Sequence, residues 1–193
     1  MTAFICERII MLSIVAVFVA ILLDFVKYND NNTVKKGKRS IVATGSMIGF
    51  FVVFCVVIYL RWGSIEFNNT IAVLVIIIIG TGMIAAGSVI NILGRLQLKS
   101  NWANHIKIYE GHTLVNRGVY KIIRHPLYAS IMLMLFGGSL AYRNWLSAVL
   151  TAFIFIPFMY YRAKQEEKLL QDEFAEYREY MKNTGMFFPK FRR

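Results

Sequence analysis

Charge is what this chain has least of. Only 17% of its 193 residues are Asp, Glu, Lys or Arg, whereas 57% are hydrophobic. A soluble domain of this length is about a quarter charged, which excludes an ordinary soluble globule. Cysteine is scarce too: Cys6 and Cys55 are the only two. Both sit in apolar stretches and support neither a disulfide framework nor a metal site. Acidic residues are half as frequent as basic ones, 11 against 22, giving a net charge of +11. In a membrane chain such an excess follows the orientation rule and requires no nucleic acid partner. The length suits one domain, residues 1–193, with no room for a separate soluble catalytic unit.

What the chain does have is apolar residues in blocks, and about 20 such residues in a helix cross a bilayer. Five spans are predicted: Ile5 or Ile9 to Val26, Ile41 to Leu60, Ile71 to Leu93, Pro126 to Tyr142 and Trp145 to Tyr161. The last two are near the minimum length and are joined only by Arg143-Asn144, which predicts a tight helical hairpin. Pro157 removes a backbone donor inside the fifth span and predicts a kink there. The first apolar stretch exceeds a signal-peptide core and no small-x-small cleavage site follows it, so it is expected to remain as a helix.

Lys and Arg are unevenly placed. Lys27 to Arg39 holds five, Gly94 to Arg124 six and Arg162 to Arg193 eight, while the intervening ends hold only Arg8, Arg61 and Arg143. This predicts an outside N-terminus and a cytoplasmic C-terminus, with the large polar loop before the fourth helix also in the cytoplasm. Beyond the fifth span, Leu170, Phe174, Tyr177 and Met181 fall on one stripe, predicting an interfacial helix ended by Gly185 and Pro189. The expected fold class is therefore an all-α integral membrane protein of the cell membrane, with five transmembrane helices and a C-terminal interfacial helix.

Several features invite stronger readings than they support. Ile76 to Gly87 contains a glycine-rich run, but its spacing is wrong for a nucleotide loop and it lies inside an apolar span. Helix packing through small residues accounts for it, with Gly82 and Ala86, and Gly45 and Gly49, as the pairs. His105 and His112 flank a polar stretch without a ligand cluster, so no metal is expected. Lys35-Lys36-Gly37-Lys38-Arg39 fits an anionic-lipid contact. Asp24 is expected to snorkel or to pair with a nearby Lys.

The chemistry-bearing residues gather around the hairpin. Pro126 suits a first helical turn, which places Arg124 and His125 at an N-terminus where free N–H groups favour an anion. Tyr128 lies in the same turn. Arg162 and Glu166, four apart, share a face at the far end of the fifth span. The antiparallel hairpin predicts that both clusters line one pocket. Singly, these charges read more readily as interfacial anchors and ion pairs; the His112 loop and Tyr120 beside them reverse that balance.

Together, His112-Thr113-Leu114-Val115, Gly118-Val119-Tyr120, Arg124-His125-Pro126-x-Tyr128 and Arg162-x-x-x-Glu166-Glu167 resemble the isoprenylcysteine carboxyl methyltransferase family. These are integral membrane enzymes, and the wider grouping includes phospholipid N-methyltransferases. The resemblance covers about residues 101–189, and small prokaryotic members also have five helices. It implies S-adenosyl-L-methionine as methyl donor and S-adenosyl-L-homocysteine as product. It implies cofactor contacts at His112, Thr113, Leu114, Val115, Tyr120, His125, Pro126, Leu127, Tyr128 and Glu166. Arg124 joins this set through its place at the helix start, and His105 stands where the family places a cofactor-contacting Gln. The resemblance assigns the substrate carboxylate to Arg162, with Glu166 and Tyr128 beside it in the catalytic group. Ala129-Ser130 replaces a frequent x-Gly, and Phe174-Ala175 replaces Phe-Gly. The implied reaction is carboxyl O-methylation of an isoprenylcysteine-like or other lipidic acid at the cytoplasmic face. Methylation of a phospholipid amine remains open, as does an NADPH-dependent membrane reductase sharing Arg-His-Pro-x-Tyr. The partners expected are the bilayer and a lipophilic or lipidated substrate.

Overall fold

The computed structural model describes residues 1–28, 34–38, 41–99, 106–109 and 113–190. The elements run α1 (Thr2–Tyr28), β1 (Val34–Lys38), α2 (Ile41–Tyr59), α3 (Thr70–Leu98), β2 (Ile106–Tyr109) and a 3-10 turn (Gly118–Lys121). They continue with α4 (Pro126–Ala141), α5 (Trp145–Leu150), a π-helical turn (Thr151–Phe155), α6 (Ile156–Glu173) and α7 (Tyr177–Asn183). Three helical stretches, Thr2–Lys27, Thr70–Leu98 and Trp145–Glu173, are long and apolar enough to cross a membrane, while Met47–Tyr59 and Pro126–Ala141 are shorter apolar helices. Large apolar side chains point outward along them: Leu12 is 69% exposed, Ile71 73% and Phe153 77%. Only lipid tolerates such a surface, and the chain is a membrane protein.

Local chemistry explains where the helices start. The Asn69 side chain accepts hydrogen bonds from the N–H groups of Ile71 and Ala72 and caps α3. Asn144 caps α5 through Ser147 N at 2.8 Å. Pro126 opens α4 at a position that needs no donor.

Some expectations need correction. The apolar span expected to end at Tyr161 continues as helix through α6 to Glu173, and this extension carries Arg162 and Glu166 as expected. Hydropathy marks where a helix leaves the apolar region, not where its hydrogen-bond ladder ends. Pro157 sits just after the π-helical turn Thr151–Phe155, which widens the ladder where the proline ring would crowd the Phe153 carbonyl. The tail is not one interfacial helix. Phe174 adopts extended angles (φ −116°, ψ 112°), ends α6, and lets α7 turn so that Tyr177 becomes buried. A two-stranded antiparallel ribbon, β1 with β2, adds to the otherwise helical fold and pairs Lys38 with Ile106 and Val34 with Tyr109. Its second strand lies against α6.

The core joins α3 to α4 and packs α2 over the hairpin. A Cβ on Gly80 would meet Gly137 O and Ala141 N at 2.5 Å, and one on Gly87 would meet Ser130 O at 2.8 Å. One on Gly94 would meet Leu127 Cδ2 at 2.9 Å. These glycines recur every seven residues, so one seam of α3 faces α4 at backbone distance. Gly82 and Gly49, expected to pack, have open space beside them. Phe54, Met132, Leu135, Phe155 and Met159 form the principal apolar cluster. Asp24 pairs not with a lysine but with Arg95, at 2.7 Å. Arg95 Nε donates to Asn91 Oδ1, Asn91 Nδ2 to Ser130 Oγ, and Ser130 Oγ to Leu127 O. This buried polar chain ties α1 through α3 to the first turn of α4. Burial leaves these groups no water, so each must find a protein partner.

Candidate active site

The residues preceding α4 are held by the chain's own tail. Ile123 bridges Gly185 in parallel, Arg124 N donates to Gly185 O at 2.8 Å, and His125 N to Met186 O at 3.1 Å. Two backbone donors at a helix start are thereby satisfied. The return also sets the Phe187 ring against His125, centroids 6.0 Å apart.

Side chains from both arms of the hairpin meet here. Tyr128 Oη donates to Glu166 Oε2 at 2.9 Å and accepts from Arg162 Nε at 3.2 Å. Arg162 Nη1 also reaches Met47 Sδ of α2 at 3.5 Å. Beside this row, Arg124 Nε donates to Glu167 Oε1 at 2.7 Å, and Arg124 Nη1 donates to the carbonyls of Met181 and Thr184. The His125 ring lies between the two carboxylates, Nε2 3.3 Å from Glu167 Oε1 and Nδ1 3.7 Å from Glu166 Oε2. It stacks on Tyr128 with centroids 5.5 Å apart and planes 9° from parallel.

The adjacent glutamates have different surroundings. The Glu167 side chain is 1% exposed, with Oε2 lacking a hydrogen-bond partner among the described residues and Lys164 Nζ 3.9 Å away. The Glu166 side chain is 38% exposed. Glu167 therefore clamps Arg124 and His125, and Glu166 is the more accessible of the two carboxylates. Tyr120 is buried in the 3-10 turn, and Tyr180 Oη donates to its carbonyl. Burial, then the Glu166 charge, pushes the Tyr120 phenol well above its ordinary range, and burial also raises Tyr180. Both phenols stay protonated at neutral pH. Gln97 Oε1 accepts from Val119 N at 3.0 Å and fixes this turn to α3.

The structure thus brings together Arg124, His125, Tyr128, Arg162 and Glu166, with Tyr120 close enough for Glu166 to act on it. Thr113, Leu114 and Val115 lie in an irregular segment leading into the turn, and Pro126 and Leu127 pack towards Gly94. His105 and His112 lie outside the described residues.

Residues 76–172 match the model of the isoprenylcysteine carboxyl methyltransferase (ICMT) family, just over half of the chain. The chain belongs to that family. The matched stretch contains every side chain of the Arg124–His125–Tyr128–Arg162–Glu166–Glu167 cluster. Similar proteins include the protein-S-isoprenylcysteine O-methyltransferase of Saccharomyces cerevisiae, 39% identical over 79 residues, covering 40% of this chain and 33% of that protein. Protein-S-isoprenylcysteine O-methyltransferase A of Arabidopsis thaliana is 31% identical over 113 residues, 57% of each chain. The cobalt-zinc-cadmium resistance protein CzcN of Cupriavidus metallidurans is 33% identical over 90 residues, 46% of this chain and 41% of that one. The chain spans less than two thirds of the length of these relatives.

Two parts of the cluster escaped the sequence reading. Glu167 was legible only as Glu166's neighbour, although a second acidic residue one step round the helix signals a second facing group. The tail carbonyls of Thr184, Gly185 and Met186 belong to backbone and leave no side-chain signature. Gly185 was read as a helix stop. It is also where the tail turns back against Ile123.

Proposed function

We propose that this chain is an S-adenosyl-L-methionine-dependent membrane methyltransferase that esterifies the carboxylate of an isoprenylcysteine-like or similar lipidic acid. The observation that carries the reading is the Arg162–Tyr128–Glu166 row, which joins the two hairpin arms with a cation, a neutral phenol and a partly open carboxylate in hydrogen-bond sequence. This donor set suits the proposed pair of ligands. Glu166 offers oxygens to ribose hydroxyls or an ammonium group, and Arg162 offers a planar fork to a carboxylate. When bound, the donor supplies a methyl group made electrophilic by its sulfonium.

The protein's contribution is then positioning. A substrate carboxylate, with a reference pKa near 4, is already ionised at neutral pH, so no residue need act as general base. Arg162 orients that carboxylate, and Tyr128 holds Arg162 and Glu166 at fixed separation. Glu167 and the tail carbonyls fix Arg124 and His125 behind them. Met47 of α2 covers the Arg162 end of the row, while Glu166 stays partly open. The distribution of Lys and Arg supports a cytoplasmic site, an outside N-terminus and five crossings, with α2 and α4 as the shorter ones.

Purified protein incubated with methyl-labelled donor and a panel of prenylcysteines and phospholipids tests the reading. Base-labile label on a prenylcysteine, lost in Arg162→Ala while donor binding persists, supports it. Label on a phospholipid amine, with a rate climbing with pH, would transfer the reading to N-methylation. Binding of NADPH in place of the methyl donor would overturn it.

A further inference from the structure

The end of the bundle opposite the candidate active site holds an arrangement that methyl transfer does not use. Helix α4 separates the two ends by about 24 Å, its 16 residues rising about 1.5 Å each. There the α2–α3 and α4–α5 turns are stitched together. Ile65 N donates to Arg143 O at 2.8 Å, Trp145 N to Gly63 O at 3.0 Å, and Asn144 Nδ2 to Trp62 O at 2.8 Å.

Each turn presents an arginine in the left-handed region, Arg61 at φ 58° and Arg143 at φ 51°. The conformation ends the two preceding helices: Trp62 N donates to Val57 O behind Arg61, and Asn144 N to Ser139 O behind Arg143, so both arginines emerge at the same end of the bundle. Both line one cavity of about 130 Å³, which Ser64 and Tyr142 also border. Arg143 Nε is buried and has no hydrogen-bond partner among the described residues. The carboxylate near Arg61 is Glu66, 3.8 Å away in a pair whose side chains are 68% and 86% exposed, so its neutralising effect is weak. Trp62 and Trp145, both more than half exposed, rim the same end as an interfacial aromatic belt would.

We propose that this cavity binds a phosphate oxyanion, and that at this depth its source is a phospholipid headgroup in the leaflet opposite the active site. The guanidinium groups of Arg61 and Arg143 and the hydroxyl of Ser64, all on residues that line the cavity, are donors suited to tetrahedral oxygens. The cavity admits several waters' worth of volume, which fits a phosphate group and not a nucleotide.

Native mass spectrometry in mild detergent with added phosphatidylglycerol, alongside a separate titration with inorganic phosphate, tests the site. The wild type is expected to retain one lipid, and the Arg61→Gln, Arg143→Gln double variant to bind it at least tenfold more weakly. Methyl-donor binding should be unchanged in both, which separates this test from that of the proposed reaction. Competition by inorganic phosphate would identify a free oxyanion as an equal source, and its absence would assign the headgroup. Should the double variant misfold, Arg61→Gln alone, at an exposed position, is expected to show a smaller but measurable loss. Equal retention by wild type and the folded variants, or no retention of lipid or phosphate by the wild type, would overturn the proposal.

Discussion

Replacing Tyr128 with Phe removes one hydroxyl from the candidate active site and leaves the ring in place. The ring packs against the Phe54–Met159 cluster and stacks on His125, and Phe preserves both contacts. The hydroxyl has two charged partners, Glu166 at 2.9 Å and Arg162 at 3.2 Å. A hydrogen bond to a charged group contributes about 1.5–3 kcal/mol. The Arg162 bond is at the long end of the normal range, so we take one bond's worth as the net loss. At about 1.4 kcal/mol per tenfold, this corresponds to a fall in kcat/KM of about 10- to 150-fold. The loss should exceed any change in thermal stability, because packing is retained and the polar row is what fails. Initial rates with labelled donor and a prenylcysteine acceptor, at saturating and limiting concentrations of each, read the effect directly. A Phe variant within twofold of wild type would refute the claim that this hydroxyl sets the spacing of Arg162 and Glu166.

Other outcomes follow from burial and close approach. Glu167→Gln leaves buried Arg124 without its carboxylate partner, which should cost about 3–5 kcal/mol of stability and lower the unfolding midpoint in detergent; an unchanged midpoint would contradict the clamp. Gly80→Val places carbon against Gly137 O and Ala141 N and should destabilise the α3–α4 seam by about 1–3 kcal/mol, whereas Gly82→Val, in open space, should be nearly neutral. Asn91→Leu interrupts the chain from Asp24 and Arg95 to Ser130 and should destabilise by about 1–3 kcal/mol, as measured by denaturation, with partial recovery in Asn91→Gln. Equal stability of Asn91→Leu and wild type would mean that the chain does not tie α3 to α4.

Much of this could be read from composition and motif. The expected start of the second helix at Ile41 and of the fourth at Pro126 agrees with α2 and α4, because apolar runs and a proline at the first turn are local signals. The first and third helices extend a few residues beyond their expected bounds, to Tyr28 and Leu98. Hydropathy cannot see polar turns that stay helical, which is why the fifth apolar span ends at Tyr161 while its helix runs on to Glu173. The glycine seam was assigned to Gly82 because small-residue spacing does not say which face meets a partner, and the facing residues Ser130 and Gly137 lie about fifty positions away. Asp24 and Arg95 are 71 residues apart and meet only through the α1–α3 packing. At the site, the side-chain cluster was foreshadowed by its motifs. The backbone support from Thr184 to Met186 was not, because carbonyls are common to every residue.

The most direct test of the central claim is calorimetric titration of the purified protein with S-adenosyl-L-methionine, for wild type and Glu166→Ala. The wild type is expected to bind, and the variant, missing the more accessible of the two carboxylates, is expected to lose measurable binding while remaining folded. Undetectable binding by the wild type, or equal affinity in the two proteins, would contradict the account.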